Sequence, residues 1–181
     1  MEFEYVSKYL DGSYYKYSEK HQILEMVALG FLGFMLPFAI GAPQILIGIL
    51  VNAIIIRSAL SLPSYKTLPA IFTPSIGAVA QGALFGPLNV FLIYMMPFIW
   101  SGNLILLYAF KAKIAHGYNY LLTLLAGSAA KAGFLFAAAY ILYSASVIPA
   151  IFLTTMGVMQ FATAFLGGIL VYAQLKAEKY F

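Results

Sequence analysis

Cysteine is absent from this chain of 181 residues. Its absence excludes disulfides, cysteine-ligated iron–sulfur clusters, thiolate zinc or nickel sites and cysteine nucleophiles. Charge is scarce as well. Charged residues make up 9% of the chain and hydrophobic ones 63%, against about 25% and 45–50% in ordinary soluble domains. So few charges cannot clothe a water-soluble surface, so the solvent for most of the chain is lipid. Acidic residues are the rarest charged type: Glu2, Glu4, Asp11, Glu19, Glu25 and Glu178, with no carboxylate from Met26 to Ala177. The two histidines, His21 and His116, fall where spans are expected to end. Proton or metal transport through a membrane commonly uses carboxylates or histidines inside it. A carboxylate relay is therefore not expected, nor is a metal or other cofactor.

With about 20 residues per crossing, there is room for one domain of six spans and little else. We place them at about 23–40, 43–57, 69–85, 88–110, 120–143 and 150–175. The breaks between them are Gly41-Ala42-Pro43, the polar connector 58–68, Gly86-Pro87, the loop 111–119 and the turn 144–149. Residues 1–22 form an N-terminal segment in which Phe3, Val6 and Leu10 stand at helical spacing. Either a surface-lying helix or a disordered tail fits them. The first residues lack the basic and apolar regions of a signal peptide and are expected to be retained. Residues 23–175 form the transmembrane domain and 176–181 a short tail.

Basic residues test this count. Lys8, Lys16 and Lys20 precede the first span, Arg57 and Lys66 lie between the second and third, Lys111 and Lys113 between the fourth and fifth, and Lys176 and Lys179 follow the sixth. The alternate connections carry none. Such asymmetry places both termini in the cytoplasm. It also accounts for the net charge of +4 without a nucleic-acid partner. The expected fold class is thus an all-α integral membrane protein, a six-transmembrane-helix bundle of the inner membrane.

The tenth basic residue, Lys131, is the one charge expected inside a span. A lysine at mid-membrane costs roughly 2.5–3.5 kcal/mol on insertion scales, and no intramembrane carboxylate exists to pair with it. Two readings stand: an anionic ligand held in a cavity, or an amine satisfied by carbonyls and amides or snorkelling to the interface. Asn103 and Gln160 lie at similar depth on neighbouring spans, Asn52 lies in the second, and Gln81 and Asn89 lie further from the basic side. Interhelical bonds of about 0.6 kcal/mol are the plain explanation for any one of them. Asn103, Lys131 and Gln160 together point to a buried polar cluster. Trp100 and the many Phe and Tyr residues could stack on a ligand, although aromatic richness is ordinary for a bundle in lipid.

Small residues at four-residue spacing, Ala126/Ala130 and Ala129/Gly133 in the fifth span, and Gly157, Gly167 and Gly168 in the sixth, mark close helix packing. The contact they serve is either within the bundle or with a partner subunit. Phe34-Met35-Leu36-Pro37-Phe38 is echoed by Tyr94-Met95-Met96-Pro97-Phe98, on spans that would run in opposite directions, as an inverted repeat demands.

An ordered set of short motifs extends over about residues 25–173. Pro43-Gln44 is followed by Gly48-Ile49-Leu50-Val51-Asn52-Ala53, then Pro74-Ser75, Gly82-Ala83-Leu84, Met96-Pro97-Phe98-Ile99, Gly102-Asn103, Lys131, and Gln160 with Ala164 and Gly167-Gly168. The set resembles a family of small six-span prokaryotic membrane proteins often labelled "iron hydrogenase" in genomes. That label conflicts with the chemistry, since hydrogen activation needs metal held by cysteine thiolates. The architecture instead resembles the substrate-binding S components of energy-coupling-factor transporters. The resemblance implies a vitamin or related micronutrient bound toward the outer side, with a membrane coupling subunit and two cytoplasmic ATPases as partners. The chain departs from that class on its first span, where Ala28, Gly30 and Gly33 stand in place of an Ala-x-x-x-Ala docking pattern. It has no phosphate-binding Gly-x-x-x-x-Gly-Lys-Ser/Thr loop either, so ATP hydrolysis would belong to another chain.

Residues and resemblance together lead to one expectation: a non-enzymatic substrate-binding membrane subunit for uptake of a small anionic micronutrient. Lys131 would be the charge partner, with Asn103, Gln160, Asn52 and Trp100 completing the binding site. The alternative is a structural or anchor subunit of a larger complex, its polar cluster holding helices together. An intramembrane enzyme finds no support, because no Ser/His, paired-carboxylate or metal constellation lies in the spans.

Overall fold

The computed structural model describes residues 18–40, 43–82 and 88–177. The expected surface helix around Phe3, Val6 and Leu10, the Gly86-Pro87 break and the last four residues lie outside that set. Among the described residues there is no strand. Helix α1 spans Glu19–Met35 and runs into a π-helical turn, Leu36–Ile40. Helix α2 spans Gln44–Ser61, a 3-10 turn Ser64–Thr67 leads into α3, Leu68–Gln81, and α4 is Asn89–His116. Helix α5 is Tyr120–Ser144, followed by α6, Ile151–Met156, and α7, Val158–Ala177.

Five helical stretches are long and apolar enough to cross a membrane: Glu19–Ile40, Gln44–Ser61, Asn89–His116, Tyr120–Ser144 and Ile151–Ala177. The protein is membrane-embedded on that ground. The helix expected as the third span, α3, has 14 residues and is about 21 Å long at 1.5 Å per residue. That is shorter than a hydrocarbon core of about 30 Å.

Local chemistry explains the boundaries. Ser18 caps α1 by accepting from the His21 N–H, and the Asn119 side chain caps α5 by accepting from the Leu121 and Leu122 N–H groups. The expected loop 111–119 is helical as far as His116. Lys111 is buried there and donates to the Leu62 carbonyl oxygen, which ties the end of α4 to the end of α2. Helix α4 then stops at Gly117, whose φ of 69° suits a residue without a Cβ. The sixth span, expected to be continuous, divides at Gly157, where φ and ψ are −93° and −99°. The Phe136 ring packs 3.0 Å from where a Cβ would stand.

The helices close into a ring in the order α1, α3, α4, α5, α7, α2, and α2 also reaches across it to α4. Glycines permit the closest approaches. A Cβ on Gly30 would stand 2.7 Å from Cβ of Pro69, one on Gly33 would stand 2.8 Å from the Thr73 hydroxyl, and one on Gly77 would overlap the Phe34 carbonyl oxygen. Gly30 and Gly33 of the first span therefore serve the α1–α3 contact, whereas Ala28 is exposed. Gly167 lies against the α2 backbone at Ile49 and Ala53, and Gly168 against Leu124 of α5. On α5 the pattern is different: Ala126, Ala129, Ala130 and Gly133 face outward, and nothing approaches Gly133.

One end of the bundle collects the charge. Glu25 pairs with Arg57 at 3.6 Å and accepts from the Ser61 hydroxyl at 2.6 Å. The Lys66 ammonium donates to the Gln22 carboxamide oxygen at 3.0 Å. Lys111, Lys113 and Lys176 lie at the helix ends on the same side. We call this the basic end; the opposite one is the far end.

Candidate functional site

All five helical stretches long enough to cross a membrane contribute to one cavity in the far half of the bundle. Its volume is about 120 Å³, and its floor lies near the middle of the helices at Asn52, Asn103, Lys131 and Thr163. Pro37 of the π-helical turn, Pro74, Ser75 and Ala78 of α3, and Thr155 and Met156 of α6 form parts of its wall. Two irregularities of the described helices, the turn at Pro37 and the break at Gly157, thus lie beside the cavity. Discontinuous helices border the binding sites of many transporters for the same reason: irregular backbone in a membrane is tolerated where it lines an enclosed space.

Lys131 is 2% exposed, as are Asn52 and Asn103. Its ammonium group donates to Oδ1 of Asn52 at 2.5 Å and to Oδ1 of Asn103 at 2.8 Å. The two amides are oriented by their other bonds. Nδ2 of Asn52 donates to the Gly48 carbonyl at 2.8 Å and to the Thr163 hydroxyl at 3.2 Å, and Nδ2 of Asn103 donates to the Ile71 carbonyl at 3.2 Å. A carbonyl can only accept, so each amide must turn its oxygen toward the lysine. An ammonium group carries three N–H donors. Asn52 and Asn103 take two of them, which leaves one for the cavity that Lys131 lines.

The network joins α2, α3, α4, α5 and α7 through four side chains. Of the residues expected at the site, Lys131, Asn103 and Asn52 form one hydrogen-bonded group. Gln160 lines the same cavity, together with Gln44. Trp100 is not among the lining residues. Its indole N–H donates to the Ser75 hydroxyl at 2.6 Å, and its ring meets Phe72 edge-on with centroids 5.0 Å apart. Trp100 therefore acts on the cavity through Ser75. Of the more distant pair, Asn89 donates to the Val79 carbonyl at 3.3 Å, and neither Asn89 nor Gln81 lines the cavity.

Two site residues escape a reading by residue type. Thr163 follows Gln160 by three positions and so shares its helix face. Its hydroxyl bonds back to the Met159 carbonyl at 2.9 Å while accepting from Asn52. Ser75 stands in the Pro74-Ser75 pair, behind a proline that frees a helical carbonyl. Comparisons with family models, with curated proteins and with solved structures give no match, so the reading of the site rests on its own geometry.

Proposed function

We propose that this chain is the substrate-binding membrane subunit of an uptake system, resembling the S components of energy-coupling-factor transporters. It would cross the inner membrane six times, with the short α3 as the third crossing and with the basic end, and so both termini, in the cytoplasm. The described basic residues other than Lys131 all lie at that end, as the positive-inside rule requires. The cavity would then open toward the outside, where a scavenged micronutrient arrives. No enzymatic role is proposed, and release to the cytoplasm would depend on a membrane coupling subunit and ATPases supplied by other chains.

The observation that carries this reading is the Lys131 ammonium group, enclosed at a cavity floor with two neutral acceptors and one N–H left over. A buried charge without a counter-charge is costly. A bound anion supplies the missing charge. Asn52 and Asn103 fix the ammonium in place, and Gln160 and Gln44 offer uncharged donors and acceptors to the rest of the ligand. The apolar walls supply buried area, as in most small-molecule sites.

Mass spectrometry of small molecules extracted from the purified protein tests the proposal. The expected result is a reproducible anionic compound that is missing from Lys131→Met preparations. An extract with no such compound, from protein retained only alongside other subunits, favours the anchor reading. One observation speaks for that alternative: the same lysine ties α5 to α2 and α4 through its two bonds.

A further inference from the structure

The charge pattern around the cavity limits what it can accept. Lys131 is the one formal charge among the described lining residues. Between Lys66 and Lys111 the sequence holds no acidic or basic residue, and between His116 and Lys176 Lys131 is the one. Among the described residues the far half therefore holds a single positive charge, and the response around it comes from neutral dipoles. Every other described charge lies at or near the basic end.

Donors are equally limited at the floor. The Asn52 and Asn103 amide N–H groups are turned to Gly48, Thr163 and Ile71. The Ser75 hydroxyl donates to the Phe72 carbonyl at 3.1 Å and the Thr163 hydroxyl to Met159. What remains for a guest at the floor is one N–H of the ammonium group. Phosphate esters are bound by several converging donors, commonly arginine forks or rows of backbone N–H groups, and no arginine lines this cavity. A second negative charge would enter a region of low dielectric with nothing to balance it.

Size acts in the same direction. About 120 Å³ is well below the roughly 300–1,000 Å³ of pockets for drug-sized ligands. It is close to the engineered 150 Å³ cavity that holds benzene.

We infer that the cavity selects a compact monocarboxylate with a mainly apolar body, and rejects phosphate monoesters and dicarboxylates, because it offers one unbalanced charge and one free donor at its floor. This rests on the capture reading above and narrows its ligand class. The carboxylate sits on Lys131, the body lies against Ile99, Met156 and Met159, and Gln44 and Gln160 meet any uncharged polar group nearer the far end.

The test is thermal unfolding of the full chain in lipid nanodiscs with matched probes. Benzoate and hexanoate are the monocarboxylates, benzamide the neutral isostere, isophthalate the dicarboxylate and phenyl phosphate the phosphate ester. At saturating concentration at least one monocarboxylate raises the melting temperature by about 2–4 °C, and the other three classes leave it unchanged. Equal protection by phenyl phosphate or isophthalate overturns the monocarboxylate inference, as does equal protection by benzamide or protection by neither monocarboxylate. The extraction experiment separates this failure from failure of the capture reading. A dianion bound in a Lys131-dependent manner sinks the ligand class and leaves capture standing, whereas no Lys131-dependent compound sinks capture itself.

Discussion

Lys131 of α5 and Asn52 of α2 meet across the bundle at 2.5 Å, although 79 residues separate them in the chain. The bond is one arm of a fork whose other arm ends on Asn103. Removing the lysine leaves two buried carboxamide oxygens without a donor, at about 1–3 kcal/mol for each unsatisfied group. Lys131→Met removes an unpaired buried charge but strands both oxygens, so Lys131→Met combined with Asn52→Leu and Asn103→Leu is expected to be more stable than Lys131→Met alone. Unfolding in detergent or nanodiscs measures both. A triple variant no more stable than the single one would show that the two amide oxygens do not depend on the lysine.

The two arms differ in what lies behind them. Asn52 also donates to Gly48 and Thr163, while among the described residues Asn103 donates to Ile71 alone. Asn52→Ala is accordingly expected to cost more stability than Asn103→Ala. Double-mutant cycles against Lys131→Met are expected to give coupling energies of about 0.5–3 kcal/mol for either pair. Additivity at both pairs would contradict the network.

Much of the site was legible in the sequence, for a physical reason. A lone lysine with Asn and Gln residues at similar depth in an apolar chain has few partners available, so Asn103, Lys131 and Gln160 could be grouped from residue type. The structure gives the second bond of the lysine to Asn52 and leaves Gln160 on the cavity wall. Ser75 and Thr163 were not legible. Hydroxyls in membrane helices usually bond their own i−3 or i−4 carbonyl, and both do so here while also accepting from a neighbouring helix. Trp100 was grouped with the site for its aromatic surface, and the structure places it one residue behind, on Ser75. The division at Gly157 and the helical extension through Lys111 depend on tertiary contacts with Phe136 and Leu62 that no local pattern encodes.

Trp100 offers a graded test of that indirect placement. Trp100→Phe removes the hydrogen bond to Ser75 and keeps an aromatic ring beside Phe72. The expected cost is about 0.5–1.5 kcal/mol of stability, the net worth of one hydrogen bond. Affinity for the proposed ligand is expected to change less than in Asn103→Ala, since the indole does not line the cavity. Equilibrium binding with both variants decides it; an equal or larger loss in Trp100→Phe would place the indole against the ligand.

The glycines predict a contrast of sign. A methyl group on Gly167 would stand 2.6 Å from the Ile49 carbonyl oxygen and 2.9 Å from the Ala53 nitrogen. The α2–α7 contact would have to open, at about 1–3 kcal/mol for overpacking. At Gly133 nothing lies within 4 Å, and a glycine within a helix is about 0.5–1 kcal/mol worse than alanine. Gly167→Ala should therefore destabilise the protein and Gly133→Ala should stabilise it slightly. Melting of the two variants side by side is the measurement, and destabilisation at Gly133 would reveal a neighbour on the outer face of α5.

Topology can be tested with a single reagent because the parent chain has no cysteine. Tyr65→Cys and His116→Cys introduce exposed thiols at the basic end, and Ala145→Cys introduces one at the far end. Gln81→Cys places a thiol on the last residue of α3. A membrane-impermeant maleimide applied to intact cells is expected to label Ala145→Cys and Gln81→Cys, and to reach Tyr65→Cys and His116→Cys only after permeabilisation. The pair at residues 65 and 81 is decisive for the 14-residue helix. Both thiols labelled from one side would mean that α3 enters and leaves by the same face, five crossings would remain, and the two ends of the chain would lie on opposite sides of the membrane. Labelling from opposite sides means that about 21 Å of helix spans a core of about 30 Å. The bilayer would then thin locally around α3, or connections beyond its ends would complete the crossing.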